Sequence, residues 1–143
     1  MQLTLYTDYS LRVLLYLATH PNQLVDVGTI ATAFGISRHH LLKVVRGLAQ
    51  HGWVETVRGR NGGLRLAQKP ATIRVGQVIR QTEPTLNPVE CFDRATNTCP
   101  IAPACVLKQA LAEAREAYFR VLDGYTLATI ARRKPLLETL WKQ

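Results

Sequence analysis

No run of eighteen apolar residues occurs anywhere in the 143-residue chain, so no segment is expected to span a membrane. Its first residues, Met1-Gln-Leu-Thr-Leu-Tyr-Thr-Asp8, lack the basic, apolar and small-residue succession of a secretory signal. A cytoplasmic location is therefore expected. Catalytic constellations are missing as well: there is no P-loop, no Ser-His-Asp set and no paired carboxylates, and an enzyme is not expected. Internal repeats and low-complexity tracts are absent. Acidic residues almost vanish from one segment. Between Arg38 and Arg80 nine lysines and arginines face a single acid, Glu55, within a chain of net charge +8. The 128 residues outside one fifteen-residue stretch contain no cysteine, and all three that exist, Cys91, Cys99 and Cys105, fall within it.

What is present divides the chain into three parts: 1–83, 84–105 and 106–143. The first alternates helical and extended patterns. Leu11, Leu14, Leu15 and Ala18 recur at helical spacing, with Thr7 or Asp8 placed to cap that helix. Asp26 precedes a short second helix ended by Gly35. Ser37 is expected to cap a third, Arg38 to Gln50, with Leu41, Leu42, Val44, Val45 and Leu48 facing inward. Trp53 to Arg58 and Leu64 to Leu66 then read as strands, and Asn61-Gly62-Gly63 between them supplies residues able to take positive φ. Thr72 to Glu83 returns to helical spacing.

Helix, helix, turn, helix and hairpin, in that order, predict a mainly α winged helix-turn-helix with a small β-hairpin wing. The third helix would read DNA. Ser37, Arg38, His39 and His40 lie in its first turn, and Lys43 and Arg46 follow at helical spacing. The wing offers Arg58, Arg60, Asn61, Gly62 and Arg65, a tip suited to a phosphate or a minor groove. The basic segment maps onto this reader and wing, as counterion release on a polyanion requires. Double-stranded operator DNA is the expected partner.

From Ala104 a long helix carries Leu107, Leu111, Ala114, Tyr118, Val121 and Tyr125 at steps of four and three. That pattern fits a dimerisation seam or a stripe facing the chain's own core. Gly124 ends it, and Thr126 to Trp141 is expected to form one or two short helices broken at Pro135.

The cysteine loop separates these two parts. An odd number of clustered thiols suits a metal centre better than a disulfide framework. Seven residues separate Cys91 from Cys99 and five separate Cys99 from Cys105, without the close pair usual in structural zinc sites. Iron–sulfur clusters accept wider spacing. A zinc-stabilised constitutive DNA-binding protein and unliganded thiols remain the alternatives.

Several stretches together carry a family resemblance. They are Thr7-Asp8-Tyr9 with Leu11-Arg12-Val13-Leu14, Gly35 to Leu41, Val57 to Leu66, Cys91…Cys99-Pro100-Ile101-Ala102-Pro103-Ala104-Cys105 to Leu111, and Tyr125 to Ala128. The chain resembles the NsrR repressors, nitric-oxide-sensing members of a wider iron–sulfur winged-helix group that includes the cluster-assembly regulator IscR. The resemblance implies a homodimer crossing along the long helix. It implies one iron–sulfur cluster per subunit, 4Fe–4S or 2Fe–2S, held by Cys91, Cys99 and Cys105. It further implies Asp8 of the other subunit as fourth ligand, and repression that lapses when nitric oxide nitrosylates the cluster. The same fold sensing cluster supply or redox state is the nearest alternative. IscR-like members carry a histidine three residues beyond the last cysteine, where this chain has Lys108. The seven-residue first gap also departs from the five common among NsrR-like chains.

Overall fold

A computed structural model describes residues 2–142. Helix α1, Leu5–Thr19, begins earlier than the sequence pattern suggests. Thr4 is extended, and its hydroxyl accepts the Thr7 amide at 3.3 Å, so Thr4 is the cap. Thr7 and Asp8 lie inside the helix, which corrects the expected capping role of either. In α2, Val27–Phe34, the expected ends hold. The Asp26 carboxylate accepts the Gly28 amide at 2.6 Å, and Gly35 closes the helix in the left-handed conformation at φ 61°. Helix α3, Arg38–Gln50, follows at once, but the Ser37 side chain makes no capping bond.

Strands β1, Val54–Val57, and β2, Gly63–Leu66, pair antiparallel, with Val54 opposite Leu66 and Val57 opposite Gly63. Only Gly59 in the hairpin tip has positive φ, at 112°. Gly62 and Gly63 serve close approach instead: a Cβ at Gly62 would strike the Val57 carbonyl, and one at Gly63 the backbone of Val25. That second approach matters for position. Val25 and Leu64 exchange backbone hydrogen bonds of 2.9 Å each way, stitching the wing to the segment between α1 and α2.

Helix α4 spans Val75–Thr82, shorter than the Thr72–Glu83 pattern. Arg74 stays extended because it bridges Thr126, and the Val75 amide donates to the Tyr125 carbonyl. Helix α5, Val106–Asp123, is followed by α6, Leu127–Ile130, and α7, Lys134–Leu140. Pro135 lies in the first turn of α7, where its missing N–H leaves no bond unmade, so it starts a helix and does not break one.

Two apolar clusters hold these elements. Val13, Leu14 and Leu17 of α1 pack with Ile30, Leu41, Leu48, Trp53, Leu64, Ile73, Val78 and Leu127. Each large aliphatic buried there contributes about 1.5–3 kcal/mol relative to exposure. A second cluster, Val75, Ile79 and Phe119, fastens α5 to α4. Arg80 reinforces it, with its guanidinium 4.2 Å from the Phe119 ring and 2.7 Å from the Asp123 carboxylate.

Candidate DNA interface and cysteine loop

Leu41, Val44, Val45 and Leu48 of α3 are buried, which turns Arg38, His39, His40, Lys43 and Arg46 to solvent with Ser37 before them. Leu42 departs from expectation. The apolar pattern puts it on the inward face, yet it is 43% exposed and lies among the cations. His39, Leu42, Lys43 and Arg46 form one wall of a trough whose other wall is Thr56 of β1 and Arg58 just beyond that strand. Reader and wing therefore share one concave face. The tip residues Arg58, Gly59, Arg60 and Asn61 are exposed beside it, and Gly62 is half-buried against the turn.

Arg65 differs from the other wing cations. It stands opposite Glu55 in the ladder and donates two hydrogen bonds to that carboxylate, at 3.0 and 3.1 Å. Those bonds, with the charge of the guanidinium, hold the Glu55 carboxyl below its ordinary value. The only acid of the basic segment is thereby engaged. Among the described residues Arg38, Lys43, Arg46, Arg58 and Arg60 have no carboxylate partner. This is the electrostatic footprint that a polyanion fits.

The cysteine loop leaves the end of α4 and re-enters structure at α5. Cys91 is buried in a 3-10 turn, while Cys99 and Cys105 are half-buried, and all three are free thiols. The wide first gap has a structure of its own. The Asp93 carboxylate accepts the Ala95 amide at 2.9 Å and the Thr96 hydroxyl at 3.0 Å, and the Asn97 side chain accepts the Cys99 amide at 3.1 Å. Arg115 of α5 sits 5.1 Å from the Phe92 ring and ties the loop to that helix. Cys105 is the cap of α5, its sulfur accepting the Lys108 amide at 3.4 Å. Position 108 thus addresses the cysteine through its backbone, whatever its side chain.

These features find their counterpart in known proteins. The model of the Rrf2 family, described as iron-dependent transcriptional regulators, matches residues 3–133. The chain belongs to the Rrf2 family. Two of its relatives are regulators named NsrR. The Geobacillus kaustophilus protein is 51% identical over 100% of this chain and 98% of its own length, and the Bacillus subtilis protein 50% identical over 99% and 98%. Among solved structures, this Rrf2 chain is similar to CymR, the global cysteine regulator of B. subtilis (TM-score 0.73, 27% identity, covering 92% of this chain and 96% of that one). It is also similar to T. potens IscR (TM-score 0.73, 29% identity, covering 91% and 85%). It is a DNA-binding transcriptional regulator and not an enzyme. No helix among the described residues is long and apolar enough to cross a membrane.

The Rrf2 chain's donor set suits the iron of its family description. Three thiols, none oxidised to a disulfide, lie on one loop, and the third sits at a helix amino end that favours negative charge. Among the described residues no three His, Cys, Asp or Glu side chains converge on one metal-ion position. An iron–sulfur cluster spreads its thiolates around a bulky inorganic core.

Asp8 lies apart from the cap role, on α1, paired with Arg12 at 2.7 Å. Its turn is fastened to the base of the loop. Glu83, the residue after α4, accepts the Thr4 amide at 2.8 Å and the Thr4 hydroxyl at 3.1 Å, and Thr7 donates to buried Thr82 at 2.9 Å. Burial pushes the Glu83 carboxyl up, but hydrogen bonding, with the Thr4 amide and hydroxyl as its donors in the structure, outweighs it and leaves the group below its ordinary value. Sequence reasoning missed this latch, because a threonine and a glutamate 79 positions apart carry no local signal.

Along α5 only Phe119 is buried. Leu107 is 66% and Val121 62% exposed, Ala114 is exposed, and Leu111 and Tyr118 are half-buried. Apart from Tyr118, which packs against the Val75, Ile79 and Phe119 cluster, the heptad stripe is therefore largely not spent on the chain's own core.

Proposed function

We propose that this regulator is a homodimeric repressor, that each subunit's Cys91, Cys99 and Cys105 hold an iron–sulfur cluster, and that nitric oxide lifts repression through it. The observation that carries the reading is the place of the cysteines. All three lie on the loop between α4 and α5, and Cys105 itself caps the helix whose apolar stripe is uncovered. When bound, the cluster supplies iron that nitric oxide can ligate. Asp8 of a second subunit is the proposed fourth ligand, a hard oxygen donor that binds such iron less firmly than thiolate.

The chain's own residues supply the rest. Cys105 links loop geometry to the first turn of α5, and Phe92 under Arg115 holds the loop against the same helix. The Thr4–Glu83 latch keeps the Asp8 turn in step with the base of the loop. Any rearrangement of the loop thus reaches both the dimer helix and α1. The two reader helices would then leave the spacing, roughly one DNA turn or a multiple, that a two-fold operator requires.

The test begins with protein purified without oxygen, assayed for iron and sulfide and then titrated with nitric oxide while duplex binding is followed. Iron and sulfide matching one cluster per subunit, and release of DNA on titration, are expected. Colourless, iron-free protein that binds DNA regardless of nitric oxide would remove the sensor reading. The sequence motifs that resemble the nitric-oxide-sensing repressors are what favour nitric oxide over cluster supply as the signal.

A further inference from the structure

Leu42 is the part of the DNA face that neither charge nor hydrogen bonding accounts for. Single exposed leucines are common on protein surfaces and alone mean little. This one is placed differently. It lies on the exposed stripe of α3, between His39 and Arg46, opposite Thr56 and Arg58 across the trough. Behind it, one and two turns along, come Val45 and Ala49, which also line the trough. An apolar strip thus runs down a groove whose rims are cationic. The core does not need the side chain, since Leu41, Val44, Val45 and Leu48 already fill the inward face.

The occupant follows from charge and shape. Cations without carboxylate partners surround the strip, so the matching surface is strongly anionic yet offers an apolar point. Duplex DNA has one such point at the base edges of its major groove, the C5 methyl of thymine. We infer that Leu42 is a specificity-determining residue that packs on the methyl group of one thymine in each operator half-site. Arg38, Lys43, Arg46 and the wing would position the protein on phosphates, and Leu42 would read sequence. The inference rests on the DNA-binding role of this face and adds to it which base is read apolarly.

The experiment uses the full chain, purified without oxygen. A binding sequence is first enriched from a random duplex pool, then thymines are replaced by uracil one position at a time. Uracil pairs as thymine does and lacks only the methyl. For the wild type, one position per half-site should weaken binding about fourfold, the equivalent of one buried methyl group. Leu42→Ala should bind the thymine duplex more weakly and lose its response to that uracil. Its salt dependence should stay unchanged, because the phosphate contacts remain. Leu42→Met, which keeps an apolar side chain, should retain much of the uracil response, and it decides the matter if the alanine variant does not fold. Equal uracil sensitivity in wild type and both variants, or none at any position, overturns the assignment while leaving DNA binding intact. A change in oligomeric state on Leu42→Ala without a uracil effect also overturns it, in favour of a protein contact. Failure to enrich any sequence would count against the DNA-binding role beneath it.

Discussion

Thr4 and Asp8 sit four residues apart on the same short segment, and the structure gives them separate work. Thr4 caps α1 and also donates to Glu83, so Thr4→Ala should cost about 1 kcal/mol or somewhat more in urea unfolding. Asp8 makes only a half-exposed pair with Arg12, of a kind worth about 0.3–0.5 kcal/mol. Asp8→Ala should therefore leave the fold almost untouched. A large fall in bound iron in that variant supports its proposed ligand role, and unchanged iron with unchanged lability rejects it. Glu83 adds a pH dependence. Its carboxyl is lowered in the folded protein, so the unfolded chain binds more protons over the acidic window. The stability it confers is present above the ordinary carboxylate value, about 4.3, and is lost as pH falls through the lowered one. Melting curves of Glu83→Gln should accordingly lose less on acidification than those of the wild type.

Among the elements, α5 shows most plainly how one helix can present two faces to two surfaces. Phe119 anchors the helix to Val75 and Ile79, and Phe119→Ala should cost about 3–5 kcal/mol. Val121 lies two positions on and is 62% exposed, so Val121→Glu should leave the subunit folded. If α5 is the dimer seam, sedimentation should show that variant dissociating; a dimer of undiminished strength would place the seam elsewhere. The heptad spacing was legible in the sequence, but its partner was not. Periodicity records which residues share a face, whereas the identity of the opposing surface depends on where α4 and α1 lie. Leu42 makes the same point in α3. Positions 41, 44, 45 and 48 already complete an inward stripe at helical spacing, which leaves Leu42 turned away from it.

For the molecule as a whole, charge is the dominant long-range property. Lys43, Arg46 and Arg58, which have no carboxylate partner among the described residues, line one concave face with Arg60 exposed beside it, and binding to duplex DNA should weaken steeply with salt. Arg60→Ala should reduce affinity on all sequences alike and lower the slope of log affinity against log salt by about one unit. Arg65→Ala should do less, because Glu55 already engages that side chain, and a comparison of the two slopes checks the distinction. The wing holds its place by the Val25–Leu64 bridge, so these effects report on a face built from the α1–α2 connection as well as from α3.

By itself the sequence determined the order of elements, the reader helix and wing, the basic face and the clustered thiols. Each of these is written in local pattern: apolar period, glycine placement, charge and cysteine spacing. Tertiary structure alone decided which threonine caps α1, that the trough beside Leu42 is closed by the wing, that Glu55 engages Arg65, and that Glu83 latches α1 to the base of the cysteine loop. It also showed that Gly62 and Gly63 are required for close backbone approach rather than for positive φ. These outcomes depend on distances between residues far apart in the chain, and no local periodicity encodes such distances.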